Sequence, residues 1–150
     1  MAVVALVTWV ITAGLGFFML VTWARAGGVR VGAAPAATDR ATGAPTDQPV
    51  GTQFQQPLVF GHFLLAATGL VLWIIYVAVD SDALAWVALV IIVLAAAGGD
   101  LLFLRWWKQR DQTGAQLAEQ AIPRPVVYLH GLFALVTIVL VFLTAVGVGD

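Results

Sequence analysis

The sequence predicts an all-α fold, an integral membrane four-helix bundle built from two parallel helical-hairpin repeats. Its 150 residues are 61% hydrophobic and only 10% charged, and the mean hydropathy is +0.97. Soluble domains carry about 25% charged residues, so this composition is that of a membrane protein. The few charges leave four apolar runs long enough to cross a bilayer. A segment containing one histidine occurs in two of these runs, and its recurrence predicts the repeat.

The first predicted span covers residues 2–24 and contains no charged side chain. At about 1.5 Å per residue it would reach about 34 Å, against a hydrocarbon core of about 30 Å. No basic residue precedes the run, and it is longer than the apolar core of a signal peptide, about 7–15 residues, so we expect it in the mature protein. Residues 25–56 contain Pro35, Pro45 and Pro49 and few large apolar side chains. They predict a flexible loop that acts as a linker, with a docking segment as the alternative.

The second predicted span, residues 57–79, is followed almost at once by the third, residues 83–104. Pro57 opens the second span, where proline is tolerated because a first-turn N–H has no intrahelical partner. Residues 80–82 leave room only for a tight reversal, so these two spans are predicted to be antiparallel neighbours. Asp100 is the only Asp, Glu, Lys or Arg within the two runs.

The fourth predicted span, residues 125–149, is reached through a basic loop at residues 105–124. The loop opens with a tryptophan pair among basic residues, which is typical of a membrane–water interface. A short surface helix is expected over residues 115–121. The run from 125 to 149 contains no Asp, Glu, Lys or Arg and provides the fourth helix.

The basic residues predict the orientation of the chain in the membrane. All seven fall in the two loops after the first and third spans: Arg25, Arg30, Arg40, Arg105, Lys108, Arg110 and Arg124. By the positive-inside rule both long loops are cytoplasmic and both termini lie outside a plasma membrane. The second and fourth spans then run in the same direction.

The only two histidines occupy the same place in the recurring segment. Residues 57–66 and 125–134 share proline, valine, an aromatic residue, histidine, leucine and alanine in register, with each histidine five residues after the proline. His62 and His130 are therefore predicted at one depth in the cytoplasmic half of two parallel helices. Ionisable side chains within spans are costly and mark functional sites. Two such imidazoles can bind the iron of one haem b from opposite faces, and we expect a cofactor of this kind.

Further residues are assigned to this site by helical spacing. Steps of three or four residues place small side chains on the faces of the two histidines, where they would leave room for a flat macrocycle. These residues are Ala66, Gly69, Ala134 and Thr137. Arg124 is expected to bind a haem propionate, although it would also serve as an ordinary interfacial anchor. Asp100 would orient a histidine or relay a proton, or else pair with a cation at the interface.

The same composition excludes several functional classes and leaves two alternatives. The absence of cysteine excludes disulfides, iron–sulfur clusters and c-type haem, and the net charge of −1 gives no indication of nucleic-acid binding. No hydrolytic triad or phosphate-binding loop is present, so the chain is not expected to be an enzyme by itself. The first alternative is a non-catalytic accessory or scaffold subunit of a membrane complex, whose histidines only join helices. The second is a proton or metal site without haem, although a closed zinc site normally takes four ligands.

Parts of this sequence resemble two groups of known proteins. Residues 6–13 (LVTWVITA), with Gly61–His62 and His130–Gly131, resemble a set of small, uncharacterised four-span proteins of actinobacteria. This resemblance covers the four spans and implies their topology and an actinobacterial plasma membrane. In the arrangement of the histidines alone, the chain is similar to bis-histidine b-type cytochromes and the haem-bearing anchors of respiratory complexes. That similarity implies electron transfer, with a quinone or a respiratory-complex subunit as partner. A homo-oligomer is a further expectation.

Overall fold

The structure, a computed structural model, describes residues 1–29, 51–111 and 117–148. In these ranges the chain forms four long helices: α1 (Ala2–Trp23), α2 (Gln56–Val79), α3 (Asp82–Gln109) and α4 (Arg124–Ala145). A five-residue π-helix, Ala24–Gly28, extends α1, and a 3₁₀ helix, Ala118–Ala121, precedes α4. The described residues contain no strand. The predicted all-α four-helix bundle is confirmed.

All four helices are long and apolar enough to cross a membrane. Large hydrophobic side chains cover their outer faces and are more than half exposed, as in Val7, Phe17, Leu64, Val90 and Leu135. Such faces are stable only against lipid, since in water they would form one continuous apolar surface. The protein is a multi-pass membrane protein.

The helices differ from the predicted spans at their loop-connected ends. α3 continues five residues beyond Leu104 because Trp106 and Gln109 are buried against the loops. The first residues of the predicted flexible loop are helical, and Phe54 near its end is buried. The described part of the short surface helix expected over residues 115–121 contains a 3₁₀ helix, Ala118–Ala121, in which Ala118 is buried and not at the surface. Residues 30–50, 112–116 and 149–150, which include most of the predicted loop and the last residue of the fourth span, lie outside the described residues.

The four helices form a ring in which each contacts two neighbours. α2 packs most extensively on α3, and α1 on α4, while α1–α2 and α3–α4 complete the ring. α1 and α3 are diagonal, as are α2 and α4, and neither pair makes a close backbone contact among the described residues. The α2–α3 reversal uses Asp80 in the left-handed region, with φ 52° and ψ 51°. These two helices are the antiparallel neighbours that the short turn predicts.

The buried core consists of two separate clusters along the bundle axis. We call the end with the α2–α3 turn the turn end and the end with the two long loops the loop end. The turn-end cluster contains Ala5, Trp9, Trp73, Tyr76, Ala85, Ala88, Leu89, Ile92 and Val141. The loop-end cluster contains Trp23, Phe54, Val59, Trp106, Ala118 and Ile122. The layer between them holds both histidines together with glycine, alanine and threonine.

A layer of two histidines between the core clusters

The structure brings His62 and His130 together across the bundle axis. Their helices, α2 and α4, are diagonal, yet the imidazole ring centres are only 6.2 Å apart and the ring planes cross at 71°. Both side chains are half-buried. The two rings therefore meet inside the bundle, in the layer that separates the apolar clusters.

Each imidazole is oriented by a backbone carbonyl of a neighbouring helix. His62 Nδ1 lies 2.8 Å from the carbonyl oxygen of Ala95 on α3, and His130 Nδ1 lies 3.0 Å from that of Thr12 on α1. A carbonyl oxygen only accepts, so Nδ1 donates, and the Nε2 of each neutral ring keeps its lone pair. Neither Nε2 has a hydrogen-bond partner among the described residues. Histidines that bind metals are commonly oriented through the other ring nitrogen in this way.

A glycine lies beneath each ring. Gly99 follows Ala95 by one helical turn, and a Cβ atom added there would lie 3.0 Å from His62 Cε1. Gly16 follows Thr12 by the same spacing, and its added Cβ would lie 3.0 Å from His130 Cε1. The absence of a side chain at these positions lets each ring lie against the neighbouring helix and reach its carbonyl.

The separation of the ring centres can be compared with that of two imidazoles bound to one metal ion. Two metal–nitrogen bonds of about 2.0–2.1 Å, with about 1.1 Å from each nitrogen to its ring centre, put the centres of a linear bis-imidazole unit about 6.3 Å apart. The observed separation is 6.2 Å. No group of three or more His, Cys, Asp or Glu suited to a metal ion occurs in the described part of the chain. The pair offers two nitrogen ligands, which is too few for a closed site of protein ligands alone.

The small residues assigned to the site fall into two groups. Ala66 and Ala134, one turn beyond the histidines, are half-buried. Gly69 lies against Trp9, whose Cζ2 is 2.9 Å from the position of an added Cβ. Thr137 is fully buried and donates to Thr8 Oγ1 at 3.0 Å and, in the alternative direction of its hydroxyl, to Phe133 O at 2.7 Å. Gly69 and Thr137 therefore serve helix packing, and a planar ligand has no open space beside them.

The two ionisable residues assigned to the site lie at the outer surface. Arg124 is more than half exposed and pairs with Asp111. Asp100 is exposed and has no hydrogen bond or ion pair with a described residue. The Nδ1 atoms of the histidines contact the carbonyls of Ala95 and Thr12, and Asp100 contacts neither ring nitrogen.

Sequence reasoning missed a buried carboxylate at the loop end. Glu119 is 1% exposed, and its Oε1 accepts from the Thr52 hydroxyl and from the backbone N–H groups of Gln53 and Phe54, both at 2.8 Å. Ala118 N also donates to Gly51 O at 2.9 Å. We call residues 51–54 and 117–120 the loop-end cap. A glutamate within the mostly apolar stretch LAEQAI was the one available signal for it.

Comparison with known proteins gives no functional assignment, so a proposal must rest on the geometry of the two histidines. No protein family, curated protein or solved structure matches the chain. The two resemblances drawn from the sequence stay predictions.

Proposed function

We propose that this protein is a small membrane cytochrome that binds one haem b between His62 and His130 and transfers electrons. The observation that carries the proposal is the pair of carbonyl-anchored imidazoles, whose ring centres lie 6.2 Å apart across the bundle axis. Because each Nδ1 donates to a carbonyl, the Nε2 of each ring keeps a lone pair that could bind a ligand. Haem, when bound, supplies a one-electron iron couple.

The ligand set favours haem over a metal ion alone. Iron in a porphyrin takes four nitrogens from the macrocycle and requires only two axial ligands from protein, as His62 and His130 would provide. A bare ion would need further protein ligands, and the described residues contain no suitable cluster. The macrocycle would lie in the layer of small residues and extend toward the loop end, because Gly69 and Thr137 are packed on the other side.

The proposal includes the two-hairpin repeat. Each histidine uses a carbonyl and a glycine four residues apart on a neighbouring helix, Thr12 and Gly16 for one, Ala95 and Gly99 for the other. This matching supports a pseudo-twofold axis that passes between the rings. With the positive-inside orientation, the haem would lie in the cytoplasmic half of a plasma membrane, with the termini outside. The electron partner would be a quinone or a respiratory-complex subunit.

A scaffold role is the second candidate, and one observation favours it. The Nδ1–carbonyl bonds already join α2 to α3 and α4 to α1, so the histidines stabilise the bundle without any ligand. In that case the protein would be a non-catalytic subunit of a membrane complex. Co-purification with one stable complex, retained in His62→Ala and His130→Ala, would support this role.

Absorption spectroscopy on the purified protein tests the haem proposal. The full chain, produced in a haem-replete host and purified in mild detergent, should show a Soret band and visible bands that sharpen reversibly on reduction. His62→Ala and His130→Ala should lose the bis-histidine spectrum because each removes one axial ligand. Phe63→Ala and Leu129→Ala are matched controls, since both residues neighbour a histidine and are exposed. A folded, colourless wild-type protein that also fails to take up added haem would refute the proposal.

A further inference from the structure

Two tryptophans lie at matching positions on the loop-end side of the histidine layer. Trp23 and Trp106 each follow a ring-contacting glycine, Gly16 and Gly99, by seven residues. Seven residues are two helical turns, so each indole lies on the same face as its glycine and about 10 Å farther along the axis. Both side chains are buried, 1% and 2% exposed.

The two indoles differ in their hydrogen bonding. Trp23 Nε1 donates to the hydroxyl of Thr52 at 3.1 Å. Trp106 Nε1 is buried and has no acceptor among the described residues. A buried donor without an acceptor is costly, so a ligand that supplied an acceptor to this atom would gain binding energy.

The guanidinium of Arg110, which is ion-paired with Asp111, lies over the rings of Trp106 and Trp107. The Arg110 guanidinium carbon is 5.6 Å from the Trp106 ring centre and 3.7 Å from that of Trp107. Its Nε donates to Asp111 at 3.1 Å and its Nη1 to Tyr128 at 2.6 Å, which fixes its position. An anionic oxygen at Trp106 would be favoured by both the indole N–H and this cation.

Among the described residues, the turn-end side of the histidine layer has no buried side-chain N–H without an acceptor. Thr137 donates its hydroxyl to oxygen acceptors, and Trp73 Nε1 donates to Ala2 O at 3.2 Å. Glycine and tryptophan also fill the space there, as Gly69 and Trp9 do. A ligand with a polar edge would therefore direct that edge toward the loop end.

We infer that Trp106 Nε1 is the hydrogen-bond donor to a haem propionate, and that the propionate edge of the haem faces the loop-end cap. This inference rests on the proposed haem binding. Arg110 contributes positive charge beside the propionate. The side chains that cover Nε1 must move apart when the macrocycle binds, and the N–H then gains its acceptor.

The test compares haem b with haem b dimethyl ester, which lacks the propionate charges. Full-length protein from a haem-deficient host is titrated with each porphyrin and followed by the Soret band. Wild type should bind haem b more tightly than the ester. Trp106→Phe should weaken haem b binding about tenfold or more and change the affinity for the ester much less, because the variant loses the N–H donor and the ester lacks the charged acceptor that this donor would bind. Trp107→Phe, at an exposed neighbouring tryptophan, should change neither affinity by a comparable factor.

The outcomes separate this inference from the proposed function. Failure of wild type to bind either porphyrin would refute haem binding itself. Equal affinity of wild type for both porphyrins, or an equal loss for both in Trp106→Phe, would overturn the role of Trp106 and leave haem binding standing. The wild-type comparison requires no variant, so it stays decisive if Trp106→Phe does not fold.

Discussion

Replacing Gly99 with alanine should displace the imidazole of His62 and weaken both the bundle and its affinity for haem. The new Cβ would lie 3.0 Å from Cε1 and 3.4 Å from Nδ1. Carbon atoms in ordinary contact are about 3.5–4.0 Å apart, so the ring must move by about half an ångström. That movement strains the 2.8 Å bond from Nδ1 to Ala95 O. A hydrogen bond of this kind contributes about 0.5–1.5 kcal/mol.

Gly98→Ala is the matched control for this effect. Alanine in place of glycine favours a helix interior by about 0.8–1.0 kcal/mol, and both variants share that gain. The Cβ added at Gly98 would lie 3.6 Å from His62 Cβ, which is an ordinary contact. Gly99→Ala should therefore be less stable than Gly98→Ala by about 0.5–1.5 kcal/mol. Denaturant unfolding in detergent measures the difference, and a Soret titration compares their haem affinities.

Equal unfolding free energies and equal haem affinities for the two variants would refute this reasoning, since they would mean that the ring has space to yield without cost. The other half of the bundle supplies an independent repetition. Gly16→Ala should act on His130 as Gly99→Ala acts on His62, whereas an added Cβ at Gly14 would meet nothing within 4 Å. The same sign in both halves would tie the effect to the histidine layer.

Two further substitutions test the packing on either side of this layer. Gly69→Ala should destabilise the protein by about 1–3 kcal/mol, because its Cβ would lie 2.9 Å from Trp9 Cζ2, whereas Gly61→Ala meets no atom within 4 Å. Unfolding in detergent compares the two, and a Gly69→Ala protein as stable as Gly61→Ala would contradict the packing described. Glu119→Ala should open the loop-end cap and cost about 2–4 kcal/mol, since three donors lose their acceptor. Hydrogen exchange at Phe54 should accelerate, and unchanged protection would count against the cap.

The sequence was sufficient for the helices and for the depth of the histidines. Long uncharged runs predict spans directly, because charged side chains are costly in hydrocarbon. The recurrence around His62 and His130 then predicts one level for both rings. The sequence does not determine the rotation of each helix about its axis, and this rotation decides where a side chain points. The carbonyls of Thr12 and Ala95 belong to other helices, and residue type does not show which backbone carbonyl will accept a hydrogen bond from a side chain.

The site residues assigned by spacing show the same limit. Gly69 and Thr137 lie on the histidine faces, but small residues in membrane helices either leave a space or admit a neighbour. In this bundle, the side chain of Trp9 packs against Gly69, and Thr8 forms a hydrogen bond with Thr137. The contacts of Glu119 depend on residues more than sixty positions away, which no local pattern indicates.

The pairing of α1 with α4 has a consequence for how the protein is made. The first helix packs more extensively on the last helix than on the second, and it supplies the carbonyl that orients His130. During synthesis, α1 therefore lacks its main packing partner until α4 has been made and inserted. A message truncated before α4 would leave Thr12, Gly16 and their helix face without a partner, as a substrate for membrane quality-control proteases.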